Sequence, residues 1–512
     1  MMSQNKFVNR ENELQFLNKL YKNNKSDLFI LYGRRRIGKT QLTLEFLKNK
    51  KGTYYMCSEE GDLINIKSFQ KELSKNIDNE FNTLKIDNWY DLFSIFFKLY
   101  TKKEKLIIII DEFPYLIKKN PAIPSIFQKL WDELLINKNI LLILTGSSIS
   151  IMEKKVLNVK SPLYGRRTAQ WDLGPIPFKH ISSFLPNHNL IDLYKTYFVF
   201  GGIPAYLQKL NPGISKINGI PISKIRKVNG ASLSERSKIN GISIFGDSFE
   251  TSVIEQIFTK GNFLNQEGNL LLNYELSETT NYKLILSAIS QGNLKQKEIV
   301  DFTHLDYSLV SKYLSVLKNI SIITEEIPIT ESKKFKGRLY KIKDNYLQFW
   351  FRYLFSDLSY VESHEPEEIY NFYKTDMDTY FGYKFEDLIK ELFTNYELPT
   401  KNKYNLFGRV WGKMPLKYIV ANNKSTYEID IVGIDSITKK NILFCEVKWK
   451  DNVDASIIAK DLILKSKYIK WGIDNRSEEF IIIAKSYSNK ISQVDAIKVT
   501  CFDLNDISAF LK

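Results

Sequence analysis

Cysteine and histidine are scarce in this chain, with three of the one and four of the other among 512 residues. Cys57, Cys445 and Cys501 lie far apart and the histidines are scattered, which argues against a disulfide framework and against a Cys/His zinc site. A reducing, cytoplasmic setting is therefore expected. Long apolar runs are missing too. The longest, residues 106–110, 140–144 and 480–484, are strand-sized, well below the roughly 18–20 residues that cross a bilayer. The first ten residues hold no apolar segment, so neither secretion nor a membrane partner is expected. Arginine is the third shortage, at 12 of the 73 basic residues.

Apolar and charged residues, by contrast, make up 44% and 26% of the chain, a globular balance that excludes general disorder. At roughly 100–200 residues per domain, the length favours three or four domains. The 73 basic residues exceed the 58 acidic ones by 15. That surplus suits an acidic partner such as nucleic acid, but as a mostly lysine excess it is a weak pointer. The position of the arginines says more: Arg34, Arg35, Arg36, Arg166 and Arg167 fall in two short loops, and clustered fork-shaped donors suit phosphate recognition.

Between residues 27 and 171, short apolar runs alternate with stretches of helical period, the pattern of a parallel α/β sheet. The expected order is a parallel α/β domain over 1–200, a helical lid over 201–280, three helices and a strand pair over 281–345, an aromatic connector over 346–375, and a final α/β unit over 376–512. The lid is interrupted at about 211–247 by a stretch in which Ser-Lys-Ile-Asn-Gly-Ile occurs twice, at 215–220 and 237–242. It reads as a repetitive insertion. The three helices followed by strands around a lysine-rich turn have the order of a winged helix-turn-helix.

The chemistry is clearest near the start. An apolar run, residues 28–32, enters Gly33-Arg34-Arg35-Arg36-Ile37-Gly38-Lys39-Thr40, and a helical stretch opens at Gln41. This is Walker A spacing in the strand–loop–helix context it requires. Residues Gly33 to Gln41 are expected to bind ATP: the glycines let the backbone wrap a phosphate, Lys39 reaches its outer oxygens and Thr40 ligates Mg²⁺. A second apolar run ends in Asp111-Glu112, where Asp111 would hold Mg²⁺ and Glu112 would polarise the attacking water. A third ends in Thr145-Gly146-Ser147-Ser148, and Ser147 is either a γ-phosphate sensor or part of a polar turn.

Together with Phe7-Val8-Asn9-Arg10-Glu11-Asn12-Glu13-Leu14, Gly165-Arg166-Arg167 and Gly201-Gly202-Ile203-Pro204, these motifs resemble the archaeal-type ATPase family, a branch of the AAA/STAND P-loop ATPases. The resemblance covers most of residues 1–210. It implies that residues 7–14 pack near the adenine, that Arg166 or Arg167 senses nucleotide, and that Pro204 brings a lid against it. For the two arginines a solvated loop pair is the alternative. The Arg34–Arg36 run is familiar in this family, and its side chains are expected to point outward.

In the winged-helix segment, Tyr307, Ser308, Ser311 and Lys312 would face base edges, and Lys333, Lys334 and Lys336 would meet phosphates. Acidic neighbours Asp301, Asp306, Glu325 and Glu326 dilute that surface, and a packing or partner-binding role is the alternative. In the last unit, Glu446 and Lys448 share a strand face with Asp430 across a hairpin. Glu386, on the preceding helix, is a fourth candidate. Two carboxylates and a lysine suit metal-dependent phosphodiester hydrolysis. The set resembles the PD-(D/E)xK nuclease superfamily, although no proline precedes Asp430. The surrounding residues 385–449, including Gly408-Arg409-Val410-Trp411-Gly412, resemble the domain of unknown function that accompanies archaeal-type ATPases.

The expected whole is α/β: a P-loop NTPase parallel sheet, a helical lid, a winged helix-turn-helix and a C-terminal restriction-endonuclease-like domain. Its expected function is a Mg²⁺-ATP-dependent switch acting on DNA. An ATP-gated DNA nuclease and a non-catalytic ATP-binding regulator are the alternatives, with a protein partner or homo-oligomer left open.

Overall fold

A computed structural model describes residues 7–77, 79–210, 248–276, 278–332, 334–415 and 425–511. The repeated stretch at 211–247 and Lys333 fall outside the described residues.

The N-terminal apolar runs become β1 (Asp27–Tyr32), β2 (Gly52–Met56), β3 (Leu106–Asp111) and β4 (Ile140–Gly146), joined by β5 (Ala169–Asp172). They form one parallel sheet in the order β2-β3-β4-β1-β5. β3 and β4 are buried along their whole length, because helices cover both faces, and this is why they read as unbroken Ile and Leu. Alternate residues serve the two layers: Ile107 and Ile109 face the layer that holds Leu42 and Phe46, while Ile108 and Ile110 face the one that holds Phe69 and Phe93. β1 lies between β4 and β5, so the carboxyl ends of β1, β3 and β4 meet at one edge, where ligands of open α/β sheets bind.

Helices Thr280–Ser290, Gln296–Thr303 and Tyr307–Asn319 precede an antiparallel pair, β6 (Ile323–Glu326) and β7 (Leu339–Ile342). The C-terminal unit contains β8 (Leu406–Lys413), β9 (Thr426–Ile434), β10 (Asn441–Lys448), β11 (Val453–Asp454), β12 (Ser477–Ala484), β13 (Tyr487–Asn489), β14 (Gln493–Val494) and β15 (Ile497–Phe502). Six of these form a mixed sheet, β14-β15-β12-β10-β9-β8; β11 and β13 pair separately. The turn between β6 and β7 covers the edge strand β8. Ile329 N–H donates to Arg409 O at 3.0 Å, and the Phe335 ring stands 6.3 Å from that of Trp411. An open strand edge is thereby closed, while Lys334 and Lys336 of the same turn stay exposed.

The aromatic connector is a helix, Asn345–Tyr353, with Tyr346, Phe349, Trp350, Phe351 and Tyr353 all buried. It packs on the lid helix Phe263–Glu275. A Cβ on Gly268 would stand 2.3 Å from the Trp350 ring, so this crossing requires glycine. Trp350 Nε1 also donates to Asn265 O at 2.8 Å. One apolar cluster runs from Leu17 through the lid, the connector and the long helix Pro366–Thr394 to Ile507. The ATPase sheet and the C-terminal sheet are therefore joined by packed core. Among the described residues, no helix is long and apolar enough to cross a membrane.

Candidate functional site

The loop after β1 turns through Gly38 at φ 96° into the helix Lys39–Leu47, a left-handed step that favours glycine. The Lys39 side chain is buried inside the loop, and its Nζ donates to Gly33 O at 2.8 Å and Arg34 O at 3.0 Å. Burial pushes its ammonium down to about 8, opposed by the charges of Glu112, Asp111 and Glu275. Thr40 Oγ1 donates to Asp111 Oδ2 at 2.6 Å. This hydroxyl and carboxylate are oxygen donors of the kind a hard divalent cation takes. The same Oδ2 accepts from the Tyr54 hydroxyl at 2.8 Å, and Oδ1 accepts from the Thr145 hydroxyl and, at 3.0 Å, from the Glu112 N–H. Glu112 has a left-handed backbone, φ 53°. Its carboxylate accepts the Ser147 hydroxyl and, at 3.2 Å, the Ser147 N–H.

Lys39, Thr40, Glu112 and Ser147 border a cavity of about 390 Å³. Its lining includes polar groups, Lys39, Thr40, Gln41, Glu112 and Ser147, and apolar ones, Phe7, Val8, Ile176, Phe184, Pro204 and Ala205. Arg10 ties the leading segment to the loop: its Nη2 donates to Ile37 O at 3.2 Å and to Gly174 O at 2.8 Å.

The arginines differ from expectation. Arg35 is exposed, but Arg34 and Arg36 reach into the lid and the connector. Arg34 pairs with Asp344 and donates to the Tyr206 hydroxyl at 2.8 Å. Arg36 meets Glu267 at 2.6 Å beneath the Phe263 ring. The outward reading fails because lid carboxylates and rings lie directly over the loop. Arg166 and Arg167 are also elsewhere: Arg166 pairs with Asp132 at 3.0 Å, and Arg167 donates to Leu157 O at 2.9 Å. Neither lines the cavity, so within this chain they take the loop-pair geometry. Sequence reasoning passed over Tyr54, Glu267 and Asp344. Of these, Asp344 carried a legible signal as an N-cap before an aromatic run.

The C-terminal candidates do converge. Lys448 Nζ lies 2.9 Å from Asp430 Oδ2 and 2.6 Å from Glu446 Oε2, and Lys465 takes Glu446 Oε1 at 2.9 Å. Burial pushes Asp430 up, but Lys448 and the Val447 N–H outweigh it and hold the carboxyl below its ordinary value. Burial, then the charge of Asp430, raises Glu446 and pushes Glu386 up to about 8. Glu386 itself pairs with Arg409. Among the described residues, no group of three or more His, Cys, Asp or Glu is arranged to hold a metal ion.

A parallel sheet whose phosphate loop follows β1, with an acidic pair closing β3, defines a P-loop ATPase. Residues 7–210 match the family described as an ATPase domain predominantly from Archaea, and residues 350–458 match one described as archaeal and bacterial proteins of unknown function. An uncharacterized protein of Methanocaldococcus jannaschii is 36% identical over 508 residues, 98% of this chain and 100% of that protein. The chain belongs to the archaeal-type ATPase family. An uncharacterized ATP-binding protein of the same organism is 60% identical over 45 residues, 9% of this chain and 76% of its own length. The solved Walker-type ATPase of Pyrococcus abyssi aligns with 67% of this chain and 96% of its own, at 20% identity and a TM-score of 0.46.

Proposed function

We propose that this ATPase hydrolyses Mg²⁺-ATP and passes the state of its phosphate loop to DNA-facing units downstream. The observation that carries this reading is the docking of Arg34 on Asp344. Asp344 caps the connector helix by accepting from Leu347 N–H at 2.7 Å. The adjacent Asn345 accepts from Lys384 Nζ at 3.0 Å, and Lys384 belongs to the long helix that carries Glu386. A loop that shifts when phosphate enters therefore pulls on a chain of polar contacts that ends at the C-terminal unit.

In the reaction, water attacks the γ-phosphorus in line as the bond to ADP breaks, and Glu112 takes the water proton. Lys39 exchanges the loop carbonyls for the β- and γ-oxygens, and the loop N–H groups cradle them. Mg²⁺, held by Thr40 and Asp111, would neutralise charge on the same oxygens. The apolar lining of the cavity suits a base, and its polar lining suits phosphates. On the helix Tyr307–Asn319, Tyr307 is 60% exposed, and Ser308, Ser311 and Lys312 are exposed beside it, a face that suits a duplex groove.

The test is Mg²⁺-dependent ATP turnover with and without duplex DNA, comparing wild type with Lys39→Ala and Glu112→Gln. Turnover that rises with DNA and falls strongly, to a measurable residue, in Glu112→Gln supports the switch. Unchanged ATP affinity and turnover in Lys39→Ala would overturn the nucleotide site.

A second reading, ATP-gated DNA cleavage, is favoured by the convergence of Asp430, Glu446 and Lys448. As they stand, the carboxylates are neutralised by Lys448 and Lys465 and do not make a metal site, so no metal-dependent step is assigned to them. Cleavage products on a gel that vanish in Asp430→Ala would select this reading.

A further inference from the structure

We propose that Tyr274, on the lid helix, is a positioning residue that aims the Glu112 carboxylate at the attacking water, so that turnover requires the lid to be seated. The proposal rests on the reading of Glu112 as the base. The Tyr274 hydroxyl stands 3.4 Å from Glu112 Oε2, and the ring is flanked by cations, with the Arg35 guanidinium and the Lys118 ammonium each 5.0 Å from its centroid. These contacts hold the phenol ring beside Glu112. Tyr274 does not line the cavity, so it acts through Glu112 and does not touch substrate.

The same helix grips the other parts of the nucleotide site. Seven residues earlier, two helical turns, Glu267 holds Arg36 of the phosphate loop. The next residue, Glu275, accepts from the N–H groups of Ile149 at 3.1 Å and Ser150 at 3.2 Å, and so fixes the chain leaving β4 that carries Ser147. One rigid element thus contacts the loop, the base and the sensor turn. Ser147 supplies one hydroxyl donor, to Glu112 Oε1, and Tyr274 supplies the other, to Oε2. A carboxylate has about four lone-pair sites, so two such donors and the Ser147 N–H fix its plane and still leave an acceptor site for water. Burial, the charge of Glu112 and the neighbouring Tyr115 hydroxyl keep the phenol protonated, so it remains a donor, and of its two partners Glu112 is the charged acceptor.

The experiment is steady-state ATP turnover of the full chain for wild type, Tyr274→Phe, Glu112→Gln and the double variant. Tyr274→Phe keeps the ring between its two cations and removes only the hydroxyl. The expected result is kcat lower by about tenfold with KM for ATP within twofold of wild type, a change of about 1.4 kcal/mol in the barrier. In the Glu112→Gln background, Tyr274→Phe is expected to change nothing further. A kcat that is unchanged or raised, a loss carried by KM, or an equal further loss in the double variant would overturn the proposal. Wild-type turnover in Glu112→Gln would overturn both it and the base assignment beneath it. Should Tyr274→Phe unfold early, Tyr274→Met, flexible enough to refill the site, is read in the same way.

Discussion

The guanidinium of Arg36 meets Glu267 at two points, an ion-pair contact of Nε with Oε1 at 2.6 Å and a hydrogen bond from Nη2 to Oε2 at 2.9 Å, and the Glu267 side chain is only 1% exposed. The Tyr206 hydroxyl donates to the same Oε1 at 3.0 Å. A buried carboxylate with two hydrogen-bond donors and a close ion pair anchors the lid to the phosphate loop. Removing it in Glu267→Ala strands a cation and a hydroxyl in low dielectric. Breaking a buried pair costs about 3–5 kcal/mol, and because Arg36 is 25% exposed we expect about 2–3 kcal/mol. Chemical denaturation would register this as a lower midpoint, with Glu267→Gln in between. A midpoint equal to wild type would mean that the pair carries no stability.

Lys39 links nucleotide binding to pH. Its ammonium is pushed down to about 8 by burial, so above that value the free protein holds a neutral amine, whereas a bound polyphosphate favours the cation. ATP binding at pH 8.5 is expected to take up protons, and affinity is expected to fall as pH rises through 8. Calorimetry in buffers of different ionisation enthalpy measures the uptake directly. Zero uptake at pH 8.5 would contradict a buried, depressed lysine.

Gly268 admits no side chain. A Cβ there would stand 2.3 Å from Trp350, and Trp350 is held in place by its bond to Asn265 O. Gly268→Val should destabilise the chain by about 2–4 kcal/mol through overpacking, with a changed near-ultraviolet signal from the Trp350 ring. Adding Trp350→Leu to make room should recover part of the loss. If Gly268→Val melts like wild type, the lid and connector do not cross this closely.

Glu391 makes stability fall with pH. Burial pushes its carboxyl up to about 7, the Tyr197 hydroxyl opposes the shift, and Glu397 and Asp387 add to it. Between about pH 4.5 and 7 the folded state binds more protons than the unfolded one, so the stability it contributes at low pH is lost as pH rises through this window. The effect is at most about 3 kcal/mol. Glu391→Gln should flatten this part of the stability profile and raise the midpoint at pH 8. An unchanged slope would assign the pH dependence to other groups.

The phosphate loop was legible because everything that defines it is contiguous: an apolar strand, two glycines at fixed spacing, Lys39-Thr40 and a helix. The same holds for Asp430, Glu446 and Lys448, since a hairpin and strand alternation bring them to one face without reference to the rest of the chain. β5 was not legible, because Ala-Gln-Trp-Asp at a half-exposed edge carries no apolar run. The element order of helices and strands over 281–345 could be read from periodicity, but not that Ile329 and Phe335 in its turn would cover β8.

The amino-acid sequence by itself determined that this protein has a nucleotide loop on a parallel sheet and an acidic pair beside it, since local backbone geometry and short-range spacing dictate both. Only the tertiary structure decided what Arg34 and Arg36 do. Their partners, Asp344 and Glu267, come from distant parts of the chain, with Glu267 lying 231 residues beyond Arg36. A guanidinium takes whichever carboxylate the packing of the lid and connector delivers, and that packing depends on the fit of Gly268 to Trp350, which no local pattern encodes.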